Sequence, residues 1–173
     1  MKACRDIRFD GNGYSEEWKT EAQRRGLDCE TRTPIIIDNY LSDNTIKMFS
    51  STGVLSSAEL QSRCEVKWEN YSLKLQIESR VLGDMVINHV LPAAKQYQSI
   101  LLEKVVRLQQ AFGKEEASSL NEQDCLLIRR IESHASAIIA GVDKMTKLRV
   151  TANHIDNQRE RALAFHDTVV PIM

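Results

Sequence analysis

From Ser56 to Phe112 the chain presents one almost unbroken helical pattern, and that length constrains what it can fold into more than any other feature. It opens on "SSAELQ", a capping box in which Ser56 and Glu59 satisfy each other's backbone donors. Leu60, Cys64, Trp68, Tyr71, Leu75, Leu82, Met85 and His89 follow at three- and four-residue spacing, which places them on one helix face. A second stripe of Ile77, Val81, Ile87 and Leu91 widens that face, so more than one partner is expected to cover it. At about 1.5 Å per residue, such a helix runs many turns beyond a compact domain of this size. Pro92 removes one backbone hydrogen bond and predicts a kink near the middle, because the apolar period resumes at Tyr97, Ile100 and Leu101.

The polar stretch from Gly113 to Asn121 reads as a short turn that sends the chain back antiparallel. A last helix starting near Asn121 carries Ile131, Ala135, Ile138, Val142 and Met145 at coiled-coil spacing and continues less regularly through Leu148, Ala152 and Ile155. The expected fold is therefore all-α: short lead-in helices, then a long antiparallel helical hairpin whose first helix is kinked at Pro92. Its predicted packing core is Leu60, Trp68, Tyr71, Leu75, Leu82, Met85 and His89 on the first helix, facing Ile131, Ile138, Val142 and Met145 on the second.

Residues 1–54 form the lead-in and 55–173 the helical domain in this division. Ser15 is an N-cap followed by Glu16 and Glu17, and Gly26 closes that helix after Arg24 and Arg25. Thr33-Pro34 starts a second helix with proline at its first position, and Ser42 starts a third that runs to about Gly53. "DIRFD" alternates over too few residues to name a strand. The Gly11-Asn12-Gly13 loop resembles a phosphate loop at first sight. It lacks the Lys-Ser/Thr pair of a P-loop and the third glycine of a dinucleotide fold, so it reads as a turn whose glycines permit positive φ ahead of a capped helix.

The charge balance, 23 Lys and Arg against 24 Asp and Glu, supplies no positive field for nucleic acid or anionic lipid. No stretch approaches the roughly 20 apolar residues of a membrane helix, and the N-terminus lacks a signal peptide's apolar core, so a cytoplasmic protein is expected. Cys4, Cys29, Cys64 and Cys125 are too scattered for a zinc site or disulfide framework and read as reduced thiols. Of the four histidines, none has a Glu three residues before it and none belongs to His-Glu-x-x-His, which leaves an enzyme with a metal in the bundle as a distant third reading. His89 is taken as a core residue, while His134 and His154 take rim positions. His166 and Asp167, as helix neighbours, point apart. The serines occupy caps and polar faces, without a nucleophile elbow. "IRRIES" reads as a solvated face, and Trp68 and Tyr71 as core anchors. These residues describe a helical scaffold with no catalytic or metal-ligating constellation and no cofactor site of its own. The apolar ending "HDTVVPIM" suggests truncation.

Two blocks carry a family resemblance. "IRFDGNGYSEEWKTEAQRRGL", residues 7–27, and "TGVLSSAELQSRCEVKWENYSLKLQIESRVLGDMVINHVLPAAKQYQ", residues 52–98, resemble the C-terminal part of type III glutamine synthetases. The match rests on the Gly-Asn-Gly-Tyr-Ser-x-x-Trp turn, the Glu-Ala-x-x-Arg-Gly-Leu helix end, "GVLS", "IESRVLGD" and "NHVLPAA". It is clearest from Ile7 to about Phe112, and the last helix fits in pattern more than in motif. The resemblance implies a part of a large cytosolic enzyme that joins ammonia to glutamate using ATP and Mg or Mn through a γ-glutamyl phosphate, assembled as stacked hexameric rings with active sites between subunits. It also implies that the metal, phosphate and glutamate ligands lie upstream, so no catalytic residue carries over to this chain.

The expected role is packing against the catalytic domain of the same polypeptide or between neighbouring subunits of a homo-oligomer. The alternative is a free-standing all-α oligomerisation or adaptor module, whose excess apolar face binds another helix.

Overall fold

The computed structural model describes residues 8–173. Cys4 and the first two residues of "DIRFD" lie outside that range. Every regular element among the described residues is helical: α1 (Glu16–Arg24), α2 (Thr33–Asp38), α3 (Asp43–Ser51), α4 (Ser57–Met85), α5 (Leu91–Phe112), α6 (Lys114–Leu120), α7 (Glu122–Asn153) and α8 (Gln158–Ala164). The all-α class expected from the sequence is therefore observed.

Local chemistry accounts for most of the boundaries. Ser15, Ser42 and Ser56 each accept a backbone N–H in the first turn of α1, α3 and α4, and Ser56 with Glu59 completes the capping box. Gly26 and Gly53, at φ +70° and +66°, end α1 and α3. Leu27 N–H returns to Ala22 O and Val54 N–H to Phe49 O, the six-to-one bonds of a Schellman close that only a left-handed residue permits. Helix α2 begins at Thr33, with Arg32 as its uncapped flank.

Between α4 and α5 the backbone widens into a π segment, Val86–Val90, where Leu91 N–H reaches back five residues to Val86 O. Pro92 follows directly. Having no N–H, it cannot bond the carbonyl four residues earlier, and its ring crowds that carbonyl. A wider turn just before it relieves both demands.

The polar stretch expected to be a plain turn after Gly113 forms α6 instead. Gly113, at φ +80°, stops α5. "KEEASSL" then has good helix formers and acidic residues in its first turn, and fully buried Ala117 gives it something to pack. Asn121 is also buried, its amide donating to Val105 O at 3.5 Å, which pins the reversal onto α5.

Helix α7 returns along α5 and then α4. Lys104 pairs with Asp124 at 2.6 Å, Gln98 donates to Ile128 O at 3.2 Å, and Lys95 pairs with Glu132. Further along, Gly83 faces Val142 and Met145. Residue numbers fall on one helix as they rise on the other.

The packed face of α4 departs from the predicted one. Its buried track runs Leu60, Cys64, Trp68, Ser72, then Ser79 and Gly83. Each four-residue step advances about 40° around the helix, so the track rotates away from Met85 and His89, which both lie exposed. Ile77 and Val81 of the second stripe are also exposed, at 61% and 60%, and Ile87 with them, while Leu91 is buried. A hydrophobic pattern overlooks small residues, yet Ser79 and Gly83 are buried, and α7 packs against Gly83: a Cβ there would sit 3.5 Å from both Met145 Cε and Val142 Cγ1.

The segment from α8 to Val169 contributes to the core. After α7, Asn157 caps α8 by accepting Glu160 N–H, and a π turn over Phe165–Val169 follows. Phe165 and Val169 are fully buried with Met145 and Ala152, and Leu75, Leu82 and Leu148 pack around them. The expectation of a last helix trailing off through Ile155 misses this element.

Candidate interface

The opening loop can be taken first, since it posed the nucleotide question. Asn12 Oδ1 accepts Tyr14 N–H at 3.0 Å, and Asn12 O accepts both Ser15 N–H at 3.1 Å and Ser15 Oγ–H at 2.7 Å. This is a self-contained turn that delivers the N-cap of α1. Neither glycine has positive φ, contrary to expectation. At Gly11 a Cβ would lie 2.5 Å from Phe9 Cζ, so a side chain there moves the Phe9 ring, which packs on Trp18 with centroids 4.5 Å apart. The amides of Tyr14 and Ser15 serve the turn itself.

A second junction ties the lead-in to both ends of the helical body. Ile37, Cys64, Trp68 and Ala162 form one buried cluster, with Leu41 and Tyr71 against it. Trp68 Nε1–H donates to Pro34 O at 3.0 Å, and Arg159 makes a two-point ion pair with Asp38. Tyr71 Oη and His166 Nδ1 lie 2.8 Å apart. Burial pushes the Tyr71 phenol up, and the Asp167 charge adds to it. Sequence reasoning weighed only Asp167 as a partner for His166, set it aside because helix neighbours point apart, and missed Tyr71. The sign that could have found this contact is the buried helix that "NQRERALAF" begins, capped by Asn157 three residues before Glu160.

Of the predicted packing residues, Leu60, Trp68 and Met145 are buried, and Tyr71, Leu75, Leu82, Ile131, Ile138 and Val142 are half-buried. Met85 and His89 stand at the surface. Cys29, Cys64 and Cys125 are unpaired thiols. His134 lies beside an apolar groove of about 430 Å³ between α4 and α7, lined also by Ile172 and Met173. No three His, Cys, Asp or Glu side chains among the described residues converge as metal ligands. No described helix is long and apolar enough to cross a membrane.

What the surface does offer is contact area. Val66, Leu73, Ile77 and Val81 are exposed along α4, and Tyr97 and Ile100 along α5. Exposed apolar residues grouped along a helix face make that face the candidate contact surface.

Comparison with known proteins agrees with the resemblance read from the motifs. The family model described as glutamine synthetase C-terminal domain matches residues 1–109. A glutamine synthetase of Bacteroides fragilis (strain YCH46) is 42% identical over 171 residues, covering 99% of this chain and 24% of that protein. The type-3 glutamine synthetase of Dictyostelium discoideum is 32% identical over 95% of this chain and 22% of its own length. A glutamine synthetase of Butyrivibrio fibrisolvens is 26% identical over 100% of this chain and 24% of its own length. The similarity thus extends past the family model through α7 and α8, and the chain spans about a quarter of the length of these relatives.

Proposed function

Because the chain belongs to the glutamine synthetase C-terminal domain family, we propose that it serves as the non-catalytic helical part of a larger cytoplasmic enzyme that ligates ammonia to glutamate with ATP. The observation that carries this reading is near-complete coverage of the chain by relatives about four times its length. Its role in that enzyme is mechanical: the exposed faces of α4 and α5 pack on the catalytic domain or on neighbouring subunits of a homo-oligomer.

ATP and a divalent metal, Mg or Mn, belong to the full-length enzyme in this reading. The described residues do not fit the metal, since no three ligating side chains converge. Its site is assigned to the remainder of the enzyme, and no catalytic step is routed through this chain.

The test is the mass of the native polypeptide in its source cell, blotted with an antibody raised against this chain, together with a glutamine-formation assay on the chain alone. A band several times heavier than 19.7 kDa and no turnover by the chain are expected. A band at that mass would favour a second reading, a free-standing helical oligomerisation module, which the exposure of Ile77 and Val81 supports. Turnover by the purified chain would defeat both.

A further inference from the structure

Arg80 on α4 and Arg149 on α7 border one groove of about 550 Å³, separate from the groove that Ile172 and Met173 line. Its inner wall is made of small or apolar groups, Ser79, Gly83 and Val142. The Ser79 hydroxyl is buried and donates to Gln76 O at 3.1 Å, so it is already used. Asp84 also borders the groove, but its Oδ1 accepts from Asn88 Nδ2 at 2.7 Å.

Among the described residues neither Arg80 nor Arg149 has an ion pair or hydrogen-bond partner. That contrasts with the other end of the hairpin, where the cations on α5 meet acids on α7: Lys95 with Glu132 and Lys104 with Asp124. At the groove, Arg80 and Arg149 instead border the same space from opposite helices, and the one acid beside them, Asp84, is bonded to Asn88 rather than to either guanidinium, which leaves both forks available to a further carboxylate. Next to them, Val81 and Ile87 are exposed.

We propose that this groove docks a carboxylate-bearing segment from the remainder of the full-length enzyme. An Asp or Glu is received by the Arg80 and Arg149 forks, and apolar neighbours on the same segment cover Val81 and Ile87. A free inorganic anion would answer the charge but leave the apolar border in water, which is why the occupant is a protein segment. The proposal rests on the reading that this chain is part of a larger enzyme.

The experiment is arginine labelling with phenylglyoxal on the native full-length protein, read residue by residue by mass spectrometry, with and without inorganic phosphate. Arg80 and Arg149 are expected to react about tenfold more slowly than exposed Arg129 and Arg130, since a paired guanidinium must leave its carboxylate first. Arg80→Ala in the same protein should release the segment and speed labelling of Arg149. An Arg149 rate unchanged by Arg80→Ala would overturn the docking, because partial cover of Arg149 within this chain persists in that variant. Fast labelling of both arginines in a native protein much heavier than 19.7 kDa would also overturn it while leaving the family role standing. Protection that appears only when phosphate is added would reassign the groove to a free anion. A native mass of 19.7 kDa would overturn this proposal and the proposed role together.

Discussion

Arg159 on α8 holds Asp38 at the end of α2 through two bonds, Nε to Oδ1 at 2.8 Å and a terminal nitrogen to Oδ2 at 2.6 Å. The pair spans 121 residues of sequence and clamps the lead-in to the final helix. It sits above the buried cluster of Ile37, Cys64, Trp68 and Ala162, so it fixes orientation where apolar contacts alone would permit sliding.

Arg159→Ala should therefore lower stability by about 0.5–1 kcal/mol, a figure held down because both side chains are partly exposed and screened. Arg159→Lys should not restore it, since an ammonium cannot reproduce the fork. Urea unfolding followed by circular dichroism checks both, and a loss that persists unchanged in 1 M salt would argue against an electrostatic origin.

Helix α1 carries a pH-dependent contact. Arg24 and Arg25 hold the Glu21 carboxyl down to about 2. A carboxyl depressed in the folded state contributes stability that is full above its unfolded value of about 4.3 and is lost as pH falls towards 2. Glu21→Gln should flatten the dependence of stability on pH in that window and leave it unaltered above pH 6. Melting curves taken from pH 2 to 7 decide it.

The two loop glycines should respond differently. Gly11→Ala must displace the Phe9 ring from Trp18, costing about 0.5–1.5 kcal/mol of aromatic contact and shifting Trp fluorescence. Gly13→Ala meets open space and should change neither reading. Equal effects at the two positions would mean that Phe9 does not occupy the place described.

Phe165→Ala should destabilise by about 3–5 kcal/mol, as expected for emptying a fully buried aromatic site. His89→Ala, at an exposed position, should stay within about 0.5 kcal/mol. Thermal unfolding of the pair tests the correction made to the predicted core: comparable losses would return His89 to the packed face.

How far the fold was legible depended on the range of the interaction responsible. Ser15, Ser42 and Ser56 cap the helices they were expected to cap, and Gly26 and Gly53 end theirs, because each acts within one turn of its own backbone. The glycines at 11 and 13 were misread, since neither has positive φ and Gly11 instead sits against the ring of Phe9. Helix α6 went unseen because its composition is polar and its one buried anchor, Ala117, is small. Met85 and His89 were misplaced because apolar spacing cannot register the buried serines and Gly83 that set where α7 lies.

The candidate interface was legible as an excess of apolar positions on α4. Which of them remain uncovered was not, because that depends on how α8 and the terminal π turn settle between α4 and α7. By itself the sequence determined the all-α class, the caps and stops of the short lead-in helices, the length of the segment from Ser56 to Phe112, and the family, all of which follow from local backbone chemistry or contiguous motifs. Only the tertiary structure decided that Tyr71 meets His166, that Asp38 meets Arg159, and that Arg80 and Arg149 share a groove. Those contacts join residues far apart in the chain, and their geometry is set by the rotation and approach of whole helices, which no local pattern encodes.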